Sequence, residues 1–174
     1  SVLDGSKKHI YNETYKTWLN WINPVIFTEK GLYMAREFET GWQQIYFLSY
    51  DGQVFRRLTD GPNWRISLIR VDEKKGDVYF TAVRDAAATQ TLYKVDSKGR
   101  IFALTDPSLN VTRVSFSPEG RYFVASCSNS QTPTRIMVST NKGGVLSDGS
   151  SNLCASFVDV EALRNLSGKV RHED

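Results

Sequence analysis

The stretch QQIYFLSYDGQVFRRLTDG, residues 43–61, reads as a strand, a tight turn and a second strand. Apolar and aromatic residues lead into Asp51-Gly52, where glycine supplies the positive φ that short hairpin turns demand. The pattern returns as QTLYKVDSKGRIFALTDP, residues 90–107, with its turn at Lys98-Gly99. Leu-Thr-Asp closes both copies, at 58–60 and 104–106. Four such turns place Gly5, Gly52, Gly99 and Gly143 at intervals of 47, 47 and 44 residues. A repeat of this length is the sequence signature of stacked supersecondary units.

A second hairpin recurs inside each repeat. EKGLYMA (29–35), KKGDVYFTA (74–82) and PEGRYFVAS (118–126) each pair a turn with an apolar, aromatic-rich strand. Tyr33, Tyr79 and Phe123 mark it, 46 and 44 residues apart, and Ile136-Met137 take the place of Tyr46 and Tyr93 in the third unit. The pattern predicts strands over 24–28, 31–37, 43–50 and 53–59, then 65–72, 76–83, 90–96 and 100–105, then 111–117, 121–127, 134–140 and 143–147. Four short strands per unit of roughly 40–50 residues point to propeller blades; a β-sandwich with chance turn spacing is the competing architecture. The expected fold is all-β, with about three and a half four-stranded blades. Residues 1–16 read as the last hairpin of a preceding blade, 17–61, 62–107 and 108–148 as blades, and 149–174 as a tail. In the tail Asp159 would cap a short helix through Leu166, with Gly168 as its stop. Three and a half blades do not close a ring, so the sequence predicts either part of a larger protein or a ring completed by association.

Composition narrows the classes. The 174 residues are 40% hydrophobic and 24% charged, with a net charge of +3. Basic residues are scattered, which argues against nucleic acid as a partner. No apolar run approaches a membrane span. The two cysteines, Cys127 and Cys154, make neither a disulfide framework nor a zinc site. They read as two partly buried thiols, with a Cys127–Cys154 bridge as the alternative.

Reactive constellations are missing from the sequence. There is no G-x-S-x-G elbow, and the serines of SDGSS (147–151) lack its spacing. His9 and His172 have no evident triad partners. No spacing fits a metal, a cofactor or a phosphate loop. Glu37, Glu39, Asp51, Asp60, Asp72, Glu73 and Asp85 cluster at turns and strand ends, where Asp has structural work to do; the weaker alternative is a glycosidase pair. Trp18, Trp21, Trp42 and Trp64 are expected to pack between blades. Asn12, Asn110 and Asn165 begin N-x-S/T acceptor patterns. Catalytic, cofactor and metal residues are therefore expected to be none, and substrate-binding residues are not identified.

The ordered set Trp18, Gly41-Trp42, Ile45-Tyr46, Asp51-Gly52, Leu58-Thr59, Gly61 and Trp64 resembles the N-terminal propeller of dipeptidyl peptidase IV-type serine peptidases, of the prolyl oligopeptidase family and bacterial in character. VDEKKGDVYFTA, LYKVDSKG and VSFSPEGRYFVASCSNSQTPTRIMV continue the likeness, which covers roughly residues 1–146. The resemblance implies an eight-bladed propeller capping an α/β-hydrolase domain. It implies removal of N-terminal dipeptides, with Pro or Ala second, by Ser, Asp and His of that domain. It implies a Glu-Glu pair holding the substrate amine, and a periplasmic or envelope location. None of those groups maps onto this sequence: it holds no Glu-Glu dipeptide, and Glu37-Phe38-Glu39 is a different spacing. The expected function is a non-catalytic propeller portion that walls the peptide cavity and docks the missing blades and the hydrolase domain. The alternative is a stand-alone binding module that completes its ring as a homo-oligomer.

Overall fold

The computed structural model describes residues 4–22 and 25–147. Twelve strands run through the described residues: β1 (Val25–Phe27), β2 (Gly31–Arg36), β3 (Gln44–Ser49), β4 (Phe55–Arg57), β5 (Trp64–Asp72), β6 (Asp77–Val83), β7 (Gln90–Val95), β8 (Ile101–Ala103), β9 (Asn110–Phe116), β10 (Tyr122–Ser128), β11 (Arg135–Thr140) and β12 (Val145–Ser147). They form three antiparallel sheets, each with its four strands in sequence order. The first strands β1, β5 and β9 lie side by side, so the sheets fan outward from a common line. That is the arrangement of consecutive propeller blades.

The turn that opens the sequence reading has a local cause. Gly52 and Gly99 adopt φ of +75° and +80°, which a side chain would strain. Asp51 accepts the Gln53 N–H, and Asp96 accepts those of Lys98 and Arg100, so an acid two to four residues before the donors locks each turn. The repeated Leu-Thr-Asp is also structural. The Leu58 N–H donates to Ile45 O at 2.8 Å, and the Ile45 N–H donates to the Thr59 hydroxyl at 2.9 Å. Leu104, Leu92 and Thr105 repeat both bonds, at 2.8 and 3.1 Å. Each buried threonine thus accepts a backbone N–H where the third and fourth strands part.

The core lies between sheets. Ala35 and Ile45 of the first sheet pack on Val78, Phe80, Ala82, Tyr93 and Val95 of the second. On its other face the second sheet offers Tyr79, Leu92 and Leu104 to Phe123, Ala125, Cys127 and Met137 of the third. The outer face of the first sheet, Met34, Tyr46 and Leu48, is covered by Ile10 and Tyr11. The far face of the third sheet has no such cover: Tyr122, Val124 and Ile136 are each more than 40% exposed.

Register revises one reading of the repeat. Tyr46, Tyr93 and Met137 each lie six residues before a turn glycine, and they pair with Met34, Phe80 and Ala125. Tyr79 therefore corresponds to Val124, and Phe123 points to the opposite face. The inner turn causes the shift. Its glycine begins β2 directly, precedes β6 by one residue and precedes β10 by two. One residue of slip reverses a strand's faces. Tyr79 and Phe123 consequently meet in one core from two different sheets.

Residues 4–22 contain no strand, where residues 1–16 were expected to form a hairpin. The turn itself is present: Gly5 has a φ of +68° and the Ser6 N–H donates to Asp4. An isolated two-stranded hairpin is marginal in water, and no strand of the described residues runs beside this one. Its apolar side chains pack on the first sheet instead. The predicted helix over 159–166 lies outside the described residues.

Face assignment can be measured by unfolding. Phe123→Ala should cost about 3–5 kcal/mol, as for a buried aromatic. Val124→Ala, one residue on, should cost well under half as much. Equal losses in urea titrations would contradict the register.

Candidate functional site

The candidate catalytic groups are scattered or occupied. His9 is exposed; His172 and the serines after residue 147 lie outside the described residues. Each carboxylate singled out in the sequence has a structural partner. Glu37 accepts from the Asn20 amide and Glu39 from the Tyr46 hydroxyl, at 2.7 Å in the second case. Asp85 repeats the second bond with Tyr93 at 3.0 Å. Asp51 and Asp60 cap turns, Asp72 holds Lys75, and Glu73 accepts the Glu29 N–H. Among the described residues no group of three His, Cys, Asp or Glu side chains could hold a metal. Cys127 is a buried free thiol whose pKa is pushed up by burial, so it is protonated at neutral pH. Cys154, and with it the question of a bridge, lies outside the described residues. Of the acceptor asparagines Asn12 is exposed, whereas Asn110 is in β9 and accepts the Gln90 N–H. Asn165 is not described.

The tryptophans correct the sequence reading. Trp18, Trp21, Trp42 and Trp64 are 76%, 89%, 48% and 54% exposed, and none packs between sheets. Tyrosine and phenylalanine fill that space instead. All four lie at one end of the sheets, where β2 leads to β3, β4 to β5 and the N-terminal segment to β1. Trp42 and Trp64 share a groove of about 390 Å3 with Pro62, Val83, Arg84, Ala86 and Ala87. Beside it Arg65 has a φ of +53°, and the β5–β6 register shifts between Trp64 and Ser67. A bulge at a left-handed non-glycine residue re-aims the strand end at a cost, and such strain concentrates at functional sites.

Below the groove lies a closed polar network. Gln44 is fully buried; its Oε1 accepts from Thr59 and Asn63 at 2.8 Å each, and its Nε2 donates to Gly61 O at 2.8 Å. Arg84 donates to Asn63 Oδ1 and Asp60 O, both at 2.6 Å. A satisfied buried network makes a stiff base for the aromatic rings above it.

A second polar anchor ties the N-terminal segment to the same end. Arg36 and Glu13 form a buried pair, with the guanidinium Nε and a terminal nitrogen both 2.6 Å from Glu13 Oε2. Tyr11 donates to that oxygen at 2.9 Å, and Arg36 also donates to Asn20 O. Trp18 and Trp21 are thereby held above the sheet end. Nothing in the sequence flagged Glu13 or Arg36, since 23 residues separate them and neither belongs to a repeated motif. This end can bind through rings and guanidinium groups; among the described residues it contains no nucleophile paired with a base.

Three radially stacked four-stranded sheets with an aromatic loop end define a β-propeller segment. Residues 2–134 match the family described as Dipeptidyl peptidase IV (DPP IV) N-terminal region, and the chain belongs to that family. It is 29% identical over 139 residues to dipeptidyl peptidase 4 of Trichophyton rubrum, covering 79% of this chain and 17% of that protein. The Arthroderma otae enzyme of the same name is 26% identical over the same length. The crystal structure of Porphyromonas gingivalis dipeptidyl peptidase 4 superposes with a TM-score of 0.63 at 26% identity, over 73% of this chain and 18% of that one. TolB of Acinetobacter baumannii shares the fold, with a TM-score of 0.52 at 17% identity. The chain therefore spans less than a fifth of the peptidases it matches.

Two measurements probe the anchors. Arg36→Met leaves Glu13 buried without its partner and should cost about 3–5 kcal/mol, much of it recovered in Arg36→Met/Glu13→Leu. Tyr11 and Tyr79 are pushed up to about 12, chiefly by burial, with Glu13 and Asp77 adding to it respectively; burial also raises Tyr46, Tyr33 and Tyr93. Folding thus favours the neutral phenols. Their contribution is complete below the unfolded tyrosine value near 10 and is lost as pH climbs through about 12. Urea midpoints followed with phenolate absorbance should fall above pH 10.

Proposed function

We propose that this chain is a non-catalytic propeller portion of a dipeptidyl peptidase IV-like exopeptidase, an enzyme that removes dipeptides from peptide N-termini. Its loop end walls the peptide cavity, and its open sheet face docks the remaining blades. The hydrolase domain supplies the reacting groups. The observation that carries the reading is the exposure of all four tryptophans at one end of the sheets, above buried polar networks. Exposed rings on a rigid base suit the side chains and backbone of an extended peptide. The family match supports the division of labour. A narrow cavity with such a wall selects by size, admitting peptides and refusing folded proteins.

The open face supports docking by its chemistry. Val124 and Ile136 correspond to Tyr79 and Leu92, which the next sheet covers. Contiguous exposed apolar surface of this kind marks an interaction site.

The purified chain should release no p-nitroaniline from Gly-Pro-p-nitroanilide, and turnover that survives repurification would overturn the assignment. In light scattering the chain should associate as its concentration rises. Val124→Lys/Ile136→Lys should hold it monomeric with an unchanged melting midpoint. A closed oligomer of fixed size that survives those substitutions would favour a self-completing ring.

A further inference from the structure

The third sheet differs from the second at two paired positions. Between the first and second sheets Tyr93 stacks on Phe80, with ring centroids 5.6 Å apart, and its hydroxyl donates to Asp85. Between the second and third sheets the corresponding residues are Met137 and Ala125. Two rings have been replaced by a thioether and a methyl group. Alongside them lies a cleft of about 520 Å3, lined in part by Leu104, Leu109, Cys127 and Met137. The volume and the mostly apolar walls are those of a small-molecule site.

Two charged groups line the same cleft. Arg135, at the start of β11, has its Nε–H buried with no hydrogen-bond partner. A buried donor left unpaired is costly, and a ligand acceptor would satisfy it. Asp106 is exposed beside the cleft and accepts the Ser108 N–H at 2.8 Å. That bond holds its pKa below the usual carboxylate value, so it is ionised at neutral pH. The walls thus offer one fixed cation, one fixed anion and an apolar interior.

We propose that this cleft binds the zwitterion of an apolar α-amino acid, with its carboxylate on Arg135, its ammonium group on Asp106 and its side chain among Leu104, Leu109 and Met137. A plain carboxylate would face Asp106, and a plain amine would face Arg135. Only a ligand bearing both charges meets both walls favourably. Between the first and second sheets Tyr93 and Phe80 occupy the corresponding space.

Calorimetric titration of the full chain tests this with L-leucine, 4-methylpentanoate and isopentylamine. Leucine should bind, and each singly charged analogue should bind about tenfold more weakly or worse, the loss expected for one charge-assisted hydrogen bond. Arg135→Gln should weaken leucine by about the same factor. Met137→Phe should fill the cleft and abolish binding, while the circular dichroism spectrum stays unchanged and the melting midpoint does not fall. The proposal is overturned if leucine gives no heat at about 10 mM, beyond the range of a weak small-ligand site. It is equally overturned if 4-methylpentanoate binds as well as leucine, or if Met137→Phe leaves binding intact.

Discussion

Each of the three described sheets is apolar on both faces, and that constraint governs the rest. In a strand, neighbouring side chains point to opposite sides. When both sets are apolar, a single neighbour leaves half of them in water. The second sheet meets the condition fully: Phe80 and Tyr93 look one way, Tyr79 and Leu92 the other, and all four are buried. Burying one such side chain contributes about 1.5–3 kcal/mol, so an uncovered face forfeits several times that. The first sheet escapes by borrowing Ile10 and Tyr11 from the N-terminal segment. Backbone polarity must then be resolved at the sheet ends, which is where the Thr59 and Thr105 hydroxyls act.

Much of this was legible in the sequence. All twelve strands fall within a residue or two of where alternation and turn chemistry put them, because both signals are local. The family likeness rested on an ordered set of local motifs and was equally visible. The fate of the tryptophans was not. Ring size argued for burial, but the space between sheets is set by cross-strand pairs such as Phe80–Tyr93. Trp42 lies in the loop before β3 and Trp64 at the first position of a bulged β5, and neither reaches that space. The Glu13–Arg36 pair was hidden for another reason, since a single long-range ion pair leaves no period in a sequence. Alignment on glycines misplaced Phe123 because turn length, unlike strand pattern, drifts from one repeat to the next.

The two ends of the molecule differ in kind. At the tight-turn end, aspartates close hairpins over two to four residues, and Arg70 donates to Ser117 O and Pro118 O to tie the second sheet to the inner turn of the third. At the opposite end, longer connections carry tryptophans, arginines and a strained Arg65, held by hydrogen bonds that reach 15 to 24 residues along the chain. Rigid strands below and varied loops above are a common division between scaffold and recognition surface.

The inner turn lengthens by one residue in each successive repeat, yet the outer hairpin keeps its six-residue interval from paired ring or thioether to glycine. Each unit is thus anchored at its rim and slack near its axis. A chain built this way can gain or lose a residue at the inner turn while its outer strands stay in step and its core remains right side out. Copies of a duplicated blade are therefore free to diverge in length at that turn, and the place where they look most alike, the shared glycine, is the least dependable guide to which of their side chains correspond.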